Sequence, residues 1–513
     1  MMKIVRLMYV LFKIQLLSPL SIYRLFAALV KNGINIMVLL HFSAMKFRKN
    51  IALVDDRETL TYHELYEQSM QLAVWLKEKH QLGSGHKVAF LCKNHASLVK
   101  AIFAVSRLGA DIYFLHTETS KDQFNNMVQQ HQFHLIIHDA EASTLLEQSQ
   151  YKNARLLTYH DSLPAINTIV PNHKTAIPRT SSSKLILQTS GTTGASKAAA
   201  HKPSLFNYLH PFLAFFNRLS IEKYNTAYIA TPIYHGYGIA VLLLFMPLGK
   251  KSVISTGFDA KKACNLIQQH QVEVVTVVPL MLQKMLQADP QSLKSLACIA
   301  SGGAKLSTKL IQETSQQLGN VLYNLYGTSE AGLNFIATPE DLQSAPTTIG
   351  KKIDGMQIAV LDGNKCEVKN GVVGQLSIKN DWSISNRKHS WIQTGDLGYQ
   401  DEHGYFFLCG RTDDMIISGG ENVYPIEVEQ ILIKHPSIED VAVIGIEDEQ
   451  FGERLKAFVL PKQGAELSTE ELFAWIKPRV ARRQLPKEMK IVKNMPYTPL
   501  GKLDKKALSK YSI

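Results

Sequence analysis

"HKVAFLCKNHASLVKAIFAVSRLGADIYFLHTETSKDQFNNMVQQHQFHLIIHD", residues 86–139, alternates between two kinds of text. The apolar runs "HKVAFLCK", "ADIYFLH" and "HLIIHD" have strand length, and "SLVKAIFAVSRLG" and "KDQFNNMVQQH" between them read as helices. A strand, a helix and another strand in succession make a parallel sheet, because the helix carries the chain back before the next strand begins. The alternation returns at "VEVVTVVP", "LMLQKMLQ", "LACIASGG", "STKLIQETSQQLG" and "VLYNLYG" (272–327). Two doubly wound α/β units are therefore expected side by side. From Lys351 to Asp401, Gly-rich turns separate short strands and predict a small β subdomain. After Arg411 comes a compact α+β tail, with "PIEVEQILIKHP" helical and "VAVIGI" and "KAFVLP" as strands. The run Ile239–Leu248 is too short to span a membrane and reads as core. The expected organisation is a segment 1–54, a large domain 55–410 and a small domain 411–513.

The chain has 513 residues, 45% hydrophobic and 19% charged, an ordinary globular balance for about three compact units. Its five cysteines, Cys92, Cys264, Cys298, Cys366 and Cys409, are odd in number and never spaced as CxxC. This argues against a disulfide framework or a structural zinc and fits a reducing cytoplasm. The net charge of +12 is concentrated at the ends: residues 1–54 hold eight Lys/Arg and no acid, and residues 477–513 hold eleven against two. The stretch between is acidic, and no RNA- or DNA-binding motif accompanies the basic ends, so no nucleic-acid partner is expected.

Residues 1–45 are rich in Leu, Ile, Val, Met and Phe but are interrupted by Lys3, Arg6, Lys13, Arg24 and Lys31. No window is long and apolar enough to span a bilayer. On a helix, Lys3, Arg6 and Lys13 share one arc of about 80° and leave a wide apolar face, which suits peripheral contact with an anionic membrane at its inner face. Packing against the chain's own body and use as an export signal are the competing readings.

Candidate chemistry begins at "QTSGTTGASKA" (188–198). These residues are too small and polar to build a core. As a loop leaving the apolar run "KLILQ", Gly191 and Gly194 let consecutive N–H groups converge, Ser190, Thr192 and Thr193 add hydroxyls, and Lys197 adds a charge. A polyphosphate is the natural guest, and a solvated linker the bland alternative. The spacing of Gly194 and Lys197 is not that of a Walker A loop. In "NLYGTSEAG", Tyr326 and Glu330 stand at the carboxyl end of an expected strand, where open α/β sheets bind ligands. The ring can stack on a base and the carboxylate can hold the Mg2+ of a nucleotide; singly they also read as a core tyrosine and a loop acid. Gly302 and Gly303 of "IASGGAKL" allow close approach to a flat ring, or make a plain turn. Asp396, between two glycines, suits a ribose diol, and Arg411 a sugar or phosphate; Lys502 follows Gly501 before a short basic helix.

Taken together and in order, "TSGTTGASK", "PIYHGYG", "SGGAKL", "NLYGTSE", "TGDLG", "GRTDDMIISGGENVYPIEVE" and "PLGKLDKKAL" resemble the adenylate-forming superfamily. Its members include acyl- and aryl-CoA synthetases, peptide-synthetase adenylation domains and firefly luciferases. The resemblance runs from about Leu60 to the end. It implies ATP, Mg2+ and coenzyme A, a carboxylic acid substrate, and a mobile C-terminal domain. By position, Thr189 to Gly194 and Lys197 would wrap the β- and γ-phosphates. Gly302, Gly303 and Ala304, with Asn324, Tyr326, Gly327 and Thr328, would form the adenine side. Ser329 would meet the α-phosphate, Glu330 the Mg2+, and Asp396 and Arg411 the ribose. Lys502 would bridge the carboxylate and the α-phosphate in the first half-reaction. The tail would then swing about Asp413 and exchange Lys502 for the loop bearing Gly419 and Gly420, which would line the pantetheine path. His235 falls beside the acyl pocket; a satisfied core histidine is the alternative. Ser196 and Ala198 stand where the family usually has Pro and Gly.

The intact second-step loop favours a CoA ligase. The N-terminal segment and "LTYHELYEQS" are similar to membrane-associated long-chain acyl-CoA synthetases, so a medium- or long-chain fatty acid is the expected substrate. An aryl-CoA ligase is the alternative, and a silent binding protein is disfavoured because Glu330, Asp396, Arg411 and Lys502 are all present.

Overall fold

The computed structural model describes residues 17–161, 164–169, 176–180, 183–189, 197–201, 208–384, 390–418, 421–498 and 502–510; for 188–189, 197–201, 421–422 and 506 it describes the backbone alone. Two large sheets form the body. A six-stranded sheet has the spatial order Ala154–Leu157, Leu135–His138, Lys87–Leu91, Asp111–Phe114, Leu185–Thr189, Lys197–His201, parallel except for the last strand. A nine-stranded sheet has a parallel centre running Leu322–Thr328, Cys298–Gly302, Val274–Val277, Thr226–Ile229, Lys251–Ile254, Ile51–Val54. Helices cover these strands, so side chains such as Val274, Val275, Val277, Ile299 and Ala300 are buried whichever face they take.

The expected βαβαβ alternation is present in both sheets. A four-stranded antiparallel sheet follows, Gln357–Leu361, Gly374–Lys379, Ile392–Gln400, Phe406–Arg411. It reaches ten residues beyond the stretch assigned to it from sequence and makes Arg411 the direct register partner of Asp396. The tail forms a five-stranded sheet around its own core of Val428, Leu432, Val443, Leu455, Val459 and Leu472.

Two expectations change. "QTSGTTGASKA" does more than leave a strand: Leu185–Thr189 and Lys197–His201, which flank residues 190–196, pair antiparallel, with Thr189 opposite Lys197. Residues 190–196 lie outside the described residues. The N-terminal segment is not set apart from the body. Its helix α1 (Pro19–Asn32) is capped by the Ser18 hydroxyl, starts with Pro19 and stops at Gly33 (φ +83°). Helix α2 (Met37–Lys46) is core, with Met37, Leu40 and Phe42 buried, and Ile51–Val54 joins the nine-stranded sheet. The run Ile239–Leu248 is core as expected, with Ile239, Val241, Leu242, Leu244, Phe245, Met246 and Leu248 buried. It belongs to helix α3 (Gly236–Phe245) and the turn after it, and Ile239, Ala240, Leu243, Leu244 and Pro247 line a cavity.

All five cysteines are free, as expected, and among the described residues no helix is long and apolar enough to cross a membrane.

Candidate active site

The parallel strands of the nine-stranded sheet end at one cavity of about 2650 Å3. Thr231 and His235 follow one strand, Val278 the next, Gly303 and Ala304 a third, and Ser329 and Glu330 a fourth; all line it. The small β sheet contributes Asp396 and Arg411, and the tail contributes Asp413 and Lys502. Residues from six separate motifs thus meet in one place. The side chains of Gln188, Thr189, Lys197 and Ala198 lie outside what is described, as do Ser190, Gly191, Thr192, Thr193, Gly194, Gly419 and Gly420 entirely.

Asp396 is the hub. The Tyr326 hydroxyl donates to its Oδ2 at 2.5 Å and Arg411 Nη1 donates to its Oδ1 at 2.9 Å. Burial raises the pKa of Asp396, against the pull of Tyr326 and Arg411. Burial likewise raises Tyr326 well above its ordinary value, and the neighbouring carboxylate adds to this, so the phenol stays a donor. Each carboxylate oxygen keeps a second lone pair for a ligand. Tyr326 is buried against Phe335, as a core tyrosine would be, and its hydroxyl is joined to Asp396. Gly395 (φ +76°) is what lets Arg411 approach, since a β-carbon there would lie 2.7 Å from its Nη2.

Gly327 and Thr328 serve the hairpin that carries Glu330. A β-carbon on Gly327 would meet the Gly332 carbonyl oxygen at 2.4 Å, and Thr328 Oγ1 accepts from Ala331 N at 3.0 Å. The Glu330 carbonyl accepts from Ile384 N at 2.9 Å, while its half-buried carboxylate lines the cavity. Asn324 donates to Thr348 O at 2.9 Å and so braces the strand beneath. Gly303 adopts φ +79°, a turn geometry that suits glycine.

Lys502 sits on a tight loop, where Thr498 N donates to its carbonyl at 2.7 Å and its own N–H donates to Thr498 Oγ1 at 3.2 Å. The residue keeps solvent contact at the mouth of a crowded crevice. Loss of surrounding water lowers its pKa, and Asp396 opposes that shift. Lys505 anchors the same arm by donating to Asp414 Oδ2 at 2.8 Å, one residue past Asp413.

His235 is not a satisfied core histidine. It lines the cavity, its Nε2 has no hydrogen-bond partner, and its ring lies 4.9 Å from that of His116. Burial, helped by His116 and Lys502, lowers its pKa to about 3. Sequence reading missed what holds it: Asn94, reaching from the other sheet, accepts from Ile233 N at 2.7 Å and donates to Thr231 O at 3.1 Å. Tyr237 fixes the far side by donating to Ala300 O at 2.7 Å.

These shifts set a pH dependence. His41, bonded to Asn32 and stacked on Tyr66, is also lowered, to about 4, chiefly by burial. Both rings are neutral in the folded chain and bind a proton near pH 6.5 once unfolded. Their contribution is present above pH 6.5 and is lost as pH falls through that value toward 4 and 3. Linkage makes the loss up to about 2 kcal/mol per ring at pH 5. Urea melts at pH 7.5 and 5 should show it, and His235→Gln should shallow the drop; an unchanged pH dependence in that variant would contradict the assignment.

Among the described residues Cys92, His95 and Asp139 are the group with metal-ligand spacing, yet hydrogen bonds within the protein already engage all three. Asp139 accepts from His95 Nε2 (2.8 Å), Thr158 Oγ1 (2.6 Å) and Lys93 N (2.7 Å), and His95 Nδ1 accepts from Leu98 N (3.0 Å). Cys92, its pKa pushed up by burial, donates to Ile137 O. The cluster braces a helix start.

A large body of two α/β sheets with a small β sheet, closed by a compact tail that brings a lysine to the strand ends, is the architecture of an adenylate-forming ligase. Sequence comparison agrees. The profile of the AMP-binding enzyme family matches residues 40–385, and that of the AMP-binding enzyme C-terminal domain matches residues 427–502. The chain belongs to this family, whose chemistry uses ATP and Mg2+. It is similar to a 2-succinylbenzoate–CoA ligase of Bacillus velezensis, 29% identical over 475 residues, covering 89% of this chain and 94% of the relative. It is also similar to a fatty acid–[acyl-carrier-protein] ligase of Streptomyces coeruleorubidus, 26% identical, covering 89% and 92%. In fold it matches the o-succinylbenzoate coenzyme A synthetase of Bacillus subtilis solved with ATP and magnesium ion, with a TM-score of 0.79 and 24% identity over 92% of this chain and 99% of that one.

Proposed function

We propose that this chain is a cytoplasmic AMP-forming ligase that activates an apolar carboxylic acid as acyl-AMP and passes the acyl group to coenzyme A. The observation that carries this reading is the meeting of Lys502, Glu330, Asp396 and Arg411 at one cavity beside Gly302–Ala304. In it, the stretch between Thr189 and Lys197 holds the β- and γ-phosphates. Gly302, Gly303, Ala304, Asn324 and Tyr326 face adenine, Ser329 meets the α-phosphate, and Asp396 with Arg411 takes the ribose. The Glu330 carboxylate, a hard oxygen donor lining the cavity, fits Mg2+, which supplies charge neutralisation at the phosphates. Lys502 offsets charge as the carboxylate attacks the α-phosphate. The tail then turns about Asp413 and brings the Gly419–Gly420 loop to the thiol path.

On the acid, the names of the relatives support an aromatic carboxylate better than the fatty acid expected from sequence, and the aromatic acid is the first reading. One observation favours a longer aliphatic acid as the second. From His235 the cavity extends along α3 to Pro247, roughly 18 Å at 1.5 Å per residue, well beyond a single ring. Its described walls there are Phe212, Phe215, Ala240, Leu243, Leu244, Leu39 and Phe42, with no Lys or Arg to meet a second carboxylate. ATP–pyrophosphate exchange with benzoates, phenylalkanoates and straight-chain acids tests this: rate should rise with an aromatic ring on the first reading and with chain length on the second, and exchange with none would remove both. Ala240→Trp, which plugs this arm, should reduce exchange with long acids by about tenfold or more and spare short ones. Equal loss for all would show that Ala240 does not face the acid's distal end.

A further inference from the structure

Six of the large apolar side chains most exposed in the described structure fall within fifteen residues: Leu20 (55%), Ile22 (53%), Tyr23 (67%), Phe26 (65%), Val30 (39%) and Ile34 (71%). The others are spread along the chain from Ile51 to Tyr497 with no comparable run, so this is the densest stretch of exposed large apolar side chains among the described residues. Five of the six lie along one side of α1 at helical spacing, and Ile34 continues the patch past its end. The helix is firmly held from behind. Asn32 donates to Ala28 O and bonds His41, Asn35 bonds Thr180, and Arg107 reaches Lys31 O. An apolar face on a rigidly mounted helix is a built surface.

Charge says what covers it. Arg24 and Lys31 border the face, Lys46, Arg48 and Lys49 follow, and residues 17–54 contain no acid. A protein partner would need an apolar and acidic groove; a bilayer with anionic headgroups offers both complements at once. The inner side of the same helix supplies the second observation. Leu25 and Leu29 line the apolar arm that leads past Leu39 and Phe42 to His235, and Ile22 and Ile34 are both exposed and part of its lining. The arm opens on the patch.

We propose that the outer face of α1 docks on an anionic lipid bilayer and that the arm beneath it admits the acid from that surface. The second half rests on the ligase reading; the first does not. Docking is measured by co-flotation of the full chain with vesicles of phosphatidylcholine, with and without phosphatidylglycerol. Binding is expected only with the anionic lipid, weakening as salt rises. Tyr23→Ser/Phe26→Ser should weaken it by about tenfold or more and Arg24→Gln/Lys49→Gln by about tenfold, with melting temperatures unchanged. For the coupling, wild type should turn over a long acid supplied in anionic vesicles faster than the Tyr23/Phe26 variant does, while both use a short soluble acid equally. No flotation, or flotation untouched by either variant, overturns docking whatever the catalysis. Concentration-dependent dimers lost in the Tyr23/Phe26 variant would assign the face to a second copy and also overturn it. Flotation as expected with no difference on the long acid overturns the entry route alone. No turnover of any acid, with flotation intact, removes the ligase reading on which that route depends and leaves the docking result standing.

Discussion

Lys502→Ala should lower the rate of acyl-AMP formation by on the order of 10²–10³-fold, the cost of removing one charged group aimed at developing phosphoryl charge. Lys502 comes from the tail to a cavity where Glu330, Asp396 and Arg411 come from the body, and the charges of Asp396 and Glu330 act on it. Ile416–Ser418, which lead to the second-step loop, pair within the tail's sheet, and on the proposed reading Lys502 at the cavity serves the first half-reaction. Thioester formation from supplied acyl-AMP should therefore be largely spared. Adenylation and thioester rates measured separately decide it, and equal loss in both would remove the division of labour proposed for the tail.

Asp396→Ala is expected to have the second largest effect, because three groups depend on that carboxylate. A ribose loses its acceptor, Arg411 loses the partner that orients it at 2.9 Å, and the buried Tyr326 hydroxyl is left without one. ATP use, read as kcat/KM, should fall by about 10²-fold or more, and stability by about 1–3 kcal/mol for the unpaired phenol. Tyr326→Phe separates the two. It removes the hydroxyl and should restore most of the stability in the double variant without restoring ATP use. If Asp396→Ala binds ATP normally, the carboxylate serves only to hold the fold.

Much of the body was legible because parallel strands covered on both faces must be apolar throughout, and "VEVVTVVP" or "LACIASGG" has few other destinations. The strand pair flanking residues 190–196 was not legible. Its second strand, Lys197–His201, is mostly alanine, a poor strand former, and its conformation is imposed by pairing with Leu185–Thr189. Within the N-terminal segment, α1 and α2 were not separable for a related reason: a mostly apolar helix has the same composition in a protein core as on an exposed face, and only the burial of Met37, Leu40 and Phe42 assigns α2 to the core. Within the site, residue types were readable from motifs, whereas contacts were not. The Tyr326–Asp396 bond spans seventy residues, and Asn94 positions the His235 segment from 139 residues before Ile233. Neither leaves a local pattern.

The central claim is that a carboxylate attacks the α-phosphate and that the tail then hands the acyl group to a thiol. A rapid-quench single turnover with ATP labelled at the α-phosphate tests it most directly, using an acid chosen by pyrophosphate exchange. The label should first appear in acyl-AMP with pyrophosphate released, and on addition of coenzyme A it should leave as AMP in step with thioester. Label appearing in ADP, or thioester forming with no adenylate before it, would contradict the account.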